Sequence, residues 1–212
     1  MTQKPSHDPA QPRDIARIVP DTTALKALAH PERLRMLGLL RVEGPATATG
    51  IAKRLGLNSG ATSYHLRQLA KHGFIAEAED LGTKRERWWQ AQHDTTVFDV
   101  SDQSGEVLQA GLAMSQAVIS QHMEFLQSAL GEYPNLPTPW RRVSGANDII
   151  IPVTVEQAQT LTDKLMNILM QARSAHPRQD APLSSDTRNF MIVMHSFPFP
   201  EISQASAGDA EE

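Results

Sequence analysis

The stretch from Asn58 to Gly73, NSGATSYHLRQLAKHG, constrains the fold more than any other. Asn58 is a residue that caps a helix start, and Gly73 one that ends a helix. Between them Thr62, His65, Leu66 and Leu69 recur at i, i+3, i+4 and i+7, which is one face of an α-helix. Gly60, Tyr64, Arg67 and Lys71 point the opposite way, flanked by Ser63 and Gln68. A helix braced by leucines on one side therefore presents hydroxyls, a guanidinium and an amide on the other.

The punctuation around it supplies neighbours. DTTALKALAH opens on Asp21/Thr22 as a cap and ends before Pro31, which suits the first turn of a second helix, PERLRMLGLLRV. Leu34, Leu37 and Leu40/Arg41 give that helix its apolar stripe. Gly44-Pro45 interrupts, and TATGIAKRLG reads as a short third helix stopped by Gly56. A short helix, a tight turn and a polar-faced helix make helix-turn-helix geometry, which lays the last helix across a duplex groove. Residues 74–91 change character. Two strand-like runs flank DLGTKRE, a hairpin with Gly82 in its turn and Lys84, Arg85 and Arg87 at or near its tip.

These residue types suit double-stranded DNA. Arg67 can be bidentate to guanine and Gln68 to adenine, while Ser59, Ser63 and Tyr64 can reach phosphates or base edges. Gly60 and Ala61 keep the nose of the helix slim enough for a major groove. Lys84, Arg85 and Arg87 suit phosphate or the minor groove. Thr47, at the start of the third helix, fits a phosphate contact and a plain cap equally well. The ordinary alternative is a solvated polar face beside a charged turn. Charge distribution argues against it. The net charge is −4, yet residues 21–93 hold 11 Lys and Arg against 7 Asp and Glu, and the rest of the chain 9 against 17. Positive charge is segregated where a polyanion would bind.

In combination ALAHPERLRMLGLL, IAKRLGLNSGATSYHLRQLAKHGFI and KRERWW resemble the ArsR family of winged helix-turn-helix transcriptional regulators. The resemblance covers about residues 21–93. It implies a DNA-binding regulator of the repressor type, a homodimer, with the fourth helix as reader and the hairpin as wing. Thr62 stands at an inward position where that family often has valine. The family's cysteine metal-ligand motif is absent, because the chain has no cysteine.

The expected fold is mainly α with small β. A disordered tail (1–20) precedes the winged helix-turn-helix domain (21–93). A long dimerisation helix (94–133) follows, then a strand–helix–strand α/β segment (134–200) and an acidic disordered tail (201–212). The long helix carries Leu108, Leu112, Ile119, Met123, Leu126 and Leu130 on one side, and Val107, Met114, Val118 and Phe125 on a neighbouring one, so two fronts need cover. Pro134–Trp140 reads as a connector. NDIIIPVT and RNFMIVMHSF read as strands around the helix VEQAQTLTDKLMNILMQAR, which Thr154 and Gln157 start with a capping box. This last segment either enlarges a dimer interface or shelters an apolar small-molecule effector, with Met166, Met170, Met191 and Met194 as an adaptable lining. Simple core packing explains those methionines as well.

Other chemistry finds little support. Without cysteine there is no disulfide, thiolate site or cysteine nucleophile. No nucleotide loop, HExxH or GxSxG occurs, so no enzyme, cofactor or metal site is expected. His30 reads as structural, His65 as a satisfied half-buried side chain, and His72 as a complement to a helix end. Two alternatives remain. One is a metal-sensing repressor of the same fold, pairing His93 or Asp94 with His122 of a second copy. The other is a winged-helix scaffold that binds protein and not DNA. The N-terminus lacks the apolar core of a secretory signal, and no apolar run nears the ~20 residues of a bilayer span. The expectation is a cytoplasmic protein without membrane contact.

Overall fold

The computed structural model describes residues 15–81, 86–176 and 184–200. Four helices begin on side chains that satisfy their first amide donors. Helix α1 (Thr22–Leu28) starts on Asp21, whose Oδ1 accepts from the Ala24 amide at 2.7 Å. Helix α2 (Pro31–Glu43) starts on His30, whose Nδ1 accepts from the Glu32 amide at 3.2 Å, with Pro31 in the first turn. Thr47 caps α3 (Ala48–Leu55), and Asn58 caps α4 (Ser59–Lys71) by accepting from the Gly60 and Ala61 amides.

Three short strands complete this unit. Strand β2 (Ala46–Thr47) lies antiparallel to β4 (Trp88–Ala91), and β4 antiparallel to β3 (Ile75–Glu77), with Ile75 opposite Ala91 and Ala46 opposite Trp89. The antiparallel β3–β4 pairing is the one expected from residues 74–91, and the turn expected at Gly82 lies outside the described residues. Trp89 turns into the core and Trp88 is half-buried. Leu28, Met36, Leu37, Leu40, Ile51 and Phe74 are fully buried with Leu66 and Leu69 of α4. Each such side chain contributes about 1.5–3 kcal/mol by leaving water. Thr62 is fully buried too. Its hydroxyl donates to the Asn58 carbonyl at 2.9 Å, so the departure from valine leaves no unmet donor.

The unit is larger than residues 21–93. Strand β1 (Arg17–Ile18) pairs in parallel with β5 (Thr95–Thr96). The amides of Asp94 and Thr95 donate to the Ala16 carbonyl, and the Ala16 amide donates to Asp94 Oδ2 at 3.0 Å. Residues 15–20 are therefore built into the domain and not part of a loose tail. Arg41 fixes the same corner, donating from Nε to the His93 carbonyl (3.0 Å) and from Nη2 to Thr96 Oγ1 (2.8 Å). Burial pushes the Arg41 pKa down to about 10, against the pull of Asp94, so the side chain stays a cation at neutral pH.

Helix α5 (Gly105–Glu132) leaves this domain at a shallow joint. Ala110 and Met114 are buried against the core, and Ala117 and Val118 partly so. Gly111 is required there: a Cβ would lie 2.5 Å from Val100 Cγ1. Beyond Val118 the helix is mostly exposed, with Gln121 and His122 half-buried. A 3-10 turn (Tyr133–Asn135) and a short helix α6 (Thr138–Val143) occupy the stretch read as a connector. Helix α7 (Val155–Ala175) begins with the expected capping box of Thr154 and Gln157. The expected flanking strands need correction. Residues 147–153 and 188–197 carry no strand pairing, and among the described residues no backbone–backbone hydrogen bond involves them. Their composition favours strand, but the chain folds no neighbouring strand against them. No described helix is long and apolar enough to cross a membrane.

Candidate nucleic-acid interface

The turn between α3 and α4 aims α4. Gly56 ends α3 in the left-handed conformation (φ 67°), and its amide donates to the Ala52 carbonyl. Leu57 bonds the same carbonyl at 2.9 Å, and Asn58 then starts α4. A Cβ at Gly56 would meet no atom, but that backbone geometry is strained for other residues. From behind, Thr62, Leu66 and Leu69 lock the helix to the core.

The opposite face is open. Ser59, Gly60 and Arg67 are exposed, Tyr64 is 53% exposed, and Ser63 and Gln68 are half-buried. The Ser63 hydroxyl donates back to the Ser59 carbonyl at 2.9 Å, leaving its oxygen free to accept. The N-terminal end also has little room for bulk: a Cβ on Gly60 would come within 3.1 Å of Asn58 Oδ1. These six residues form one continuous strip along the helix, as their spacing required.

Two expected contacts fare differently. Thr47 is 9% exposed, and its Oγ1 accepts from the Gly50 amide at 3.1 Å. Its hydroxyl serves as the cap and is turned from solvent. Arg87 is exposed but pairs with Glu77 across the hairpin at 3.1 Å. Lys84 and Arg85 lie outside the described residues.

Behind the reading face sits a histidine pair that the sequence did not announce. His30 and His65 have ring centroids 4.5 Å apart, and Tyr64 meets His65 edge-on at 5.4 Å. Burial lowers the pKa of both rings. The Arg33 cation lowers that of His30 further, and neighbouring His30 and then Arg33 lower that of His65, with Glu32 opposing. His65 is half-buried, but its Nδ1 has no hydrogen-bond partner, so it is not the satisfied side chain expected. Arg33 was not legible as part of this site. Its Nε donates to the Ala27 carbonyl, and Tyr64 tempers the fall that burial imposes on its pKa. Only tertiary packing of α2 on α4 brings it there.

His122 of α5 faces His195 of the C-terminal segment, Nδ1 to Nε2 at 3.1 Å. Among the described residues no three His, Cys, Asp or Glu side chains gather where a metal could bind. Two shallow concavities, one along the first turns of α7 and one between Arg41 and Asp94, have no methionine in their walls.

Residues 28–78, from the end of α1 to just past β3, match a family model described as a helix-turn-helix domain. The fold is a winged helix-turn-helix. A curated relative, the HTH-type transcriptional regulator NmtR of Mycobacterium tuberculosis (strain ATCC 25618 / H37Rv), is 36% identical over 67 residues, 32% of this chain and 55% of that protein. The chain thus spans about half the length of the relative it matches. Among solved structures, wild-type MarR from E. coli in its apo form is 15% identical over 70% of this chain and 87% of its own, with a TM-score of 0.29. The transcriptional regulator PA4135 is 13% identical over 69% and 88%, with a TM-score of 0.30. TM-scores that low place no residue of this chain on a residue of theirs.

Proposed function

We propose that this chain is a sequence-specific double-stranded-DNA-binding transcription regulator, a repressor of the ArsR type, acting in the cytoplasm as a homodimer on a pseudo-palindromic operator. The observation that carries this reading is the strip of Ser59, Gly60, Ser63, Tyr64, Arg67 and Gln68, exposed or half-exposed on a helix whose other face buries Thr62, Leu66 and Leu69. Ser63, Tyr64, Arg67 and Gln68 read bases; Ser59, Gly60 and the hairpin cations Lys84, Arg85 and Arg87 hold the backbone. Thr47 supports the reader through its cap. The helix-turn-helix match over residues 28–78 and the regulator name of the mycobacterial relative support the same reading. The dimer rests on α5, which leaves Leu112, Ile119, Met123, Leu126 and Leu130 uncovered.

The test is a salt titration of the full-length chain against genomic duplex fragments. Log affinity should fall linearly with log salt, by about 0.9 per phosphate neutralised. Arg67→Ala should relax base preference by about 1–3 kcal/mol at one position of each half-site. A chain that binds no duplex, or binds with no salt dependence, is instead a protein-binding scaffold.

A further inference from the structure

Helix α7 and its flanking segments lack something a folded unit needs. After Met114 no described residue is buried. Yet α7 runs 21 residues with both bonds of its capping box in place. In proteins most of a helix's stability comes from packing its apolar face against something rather than from propensity. Leu161, Leu165 and Ile168 of that face are 40%, 40% and 62% exposed. The two segments beside it are Ile, Val, Phe and Met-rich, which is strand composition. Their backbones nonetheless bond to nothing described. An apolar strand with an open edge is a template for another strand.

We infer that residues 144–176 and 184–200 form a layer completed by a second copy of this chain, in which segments 148–151 and 189–195 pair with strands of the partner subunit and α7 covers the joint sheet. Pro152 limits the first segment to a short edge strand. Three observations favour a second copy over a foreign partner. The two segments and the α5 stripe are nearly uncharged: residues 189–200 contain no Asp, Glu, Lys or Arg, residues 143–155 only Asp148, and residues 107–131 of α5 only Glu124. Such a surface offers a foreign protein no charge pattern to select by, while charge depletion marks the core of a subunit interface. It is also continuous with the open stripe of α5. The 188–195 segment lies beside that helix through His122 and His195, and beside α6 through Trp140 and Phe190, whose ring centroids are 6.3 Å apart. Finally, the area fits. The 22 large apolar residues exposed from Leu112 onward amount to about 2,000 Å² per chain at roughly 100 Å² each. Burying about half of that on each of two copies would reach about 2,000 Å², the low end of the 2,000–5,000 Å² that obligate homodimers bury in total. A closed two-fold dimer satisfies both copies and leaves no open edge.

This inference rests on the homodimer of the proposed function but not on DNA binding, so its test uses no DNA. Sedimentation equilibrium of the full-length chain should give a dimer. Ile150→Lys and Ile192→Lys should each raise its dissociation constant at least about tenfold, since each buries an unpaired ammonium. Amide hydrogen exchange guards against simple misfolding. Residues 148–151 and 189–195 should be protected in the dimer and lose protection on dilution, while residues 59–71 keep theirs. A dimer whose two segments exchange at the unstructured rate, or a monomer in which they are protected, overturns the inference. So does a chain that stays monomeric with both segments unprotected. Protection that survives in a chain unable to bind duplex sinks the functional reading and leaves this one standing.

Discussion

The winged domain and the part of the chain from Leu112 onward obey the same local rules but solve opposite problems. Of the 27 large hydrophobic residues exposed among those described, 22 lie at Leu112 or beyond. In the winged domain every helix begins on a side-chain cap, and the apolar faces meet one another. In the C-terminal part the local rules are obeyed equally well, as the capping box of α7 shows, while the apolar faces are covered only in part by the same chain and no described residue there is buried. Local consistency and tertiary burial are separable. A segment can carry every signal of its own secondary structure and still depend on a second molecule to keep it.

Truncation separates the two regions most sharply. Phe74→Ala empties a fully buried site, and about 3–5 kcal/mol of stability should be lost. That loss should be the same at any protein concentration. Leu165→Ala on α7 should behave differently, because its cover comes from the partner subunit. Urea unfolding at about 1 and about 100 μM chain should show its penalty growing on dilution. Identical behaviour of the two variants at both concentrations would erase the distinction between the regions.

The joint between the regions should show the next largest effect. Gly111→Ala sets a methyl 2.5 Å from Val100 Cγ1, so α5 must shift or Val100 must leave its rotamer. Overpacking of this kind costs about 1–3 kcal/mol. The winged domain should keep its fold, while the operator spacing tolerated in a half-site selection should broaden because the two readers are no longer held at one separation. Unchanged stability would mean that the joint is looser than its geometry.

The same contrast explains what the sequence could and could not tell. Caps and turns are local, so Asp21, Asn58, Gly56 and Thr154 were legible, and with them the helix starts. The inward and outward faces of α4 followed from period alone. The β1–β5 pairing was not legible, because two residues at 17–18 meet two at 95–96 across most of the domain. Thr47 stood between two roles, and the spacing carried no sign that its hydroxyl would be buried in the cap. The strand composition of 148–151 and 189–195 was readable, but composition does not say which chain holds the partner strand. The contact of His122 with His195 carried no sequence signal.

Acid should weaken the winged domain. Burial holds His30 and His65 below the ordinary imidazole pKa. As pH falls below about 6.5 the unfolded chain takes up protons that the folded one refuses, so stability is fully present above that pH and declines beneath it. Protonation at Nδ1 would also remove the acceptor that caps α2 at the Glu32 amide. His30→Asn keeps a capping residue without titrating, and should flatten the decline seen in thermal melts between about pH 7 and 5. An equal slope in wild type and variant would assign the acid sensitivity elsewhere.

The smallest expected effect tests whether the two regions communicate within one chain. Arg173, near the end of α7, reaches Asp94 with Nη2 to Oδ1 at 3.3 Å, and Asp94 also accepts from the Ala16 amide. Asp94 is mostly shielded and Arg173 about a third exposed. A pair of that exposure contributes about 0.2–1 kcal/mol. Arg173→Ala should therefore barely move the unfolding midpoint. Asp94 still accepts from Ala16 and still lies near the Arg41 cation, so its carboxylate stays compensated. The change should be local: amides at 16–18 and 94–97 should exchange faster, because the strand pair they form loses the brace from α7. Faster exchange confined to α7 would mean that the ion pair steadies only the helix, and that the winged domain is indifferent to the C-terminal part of its own chain.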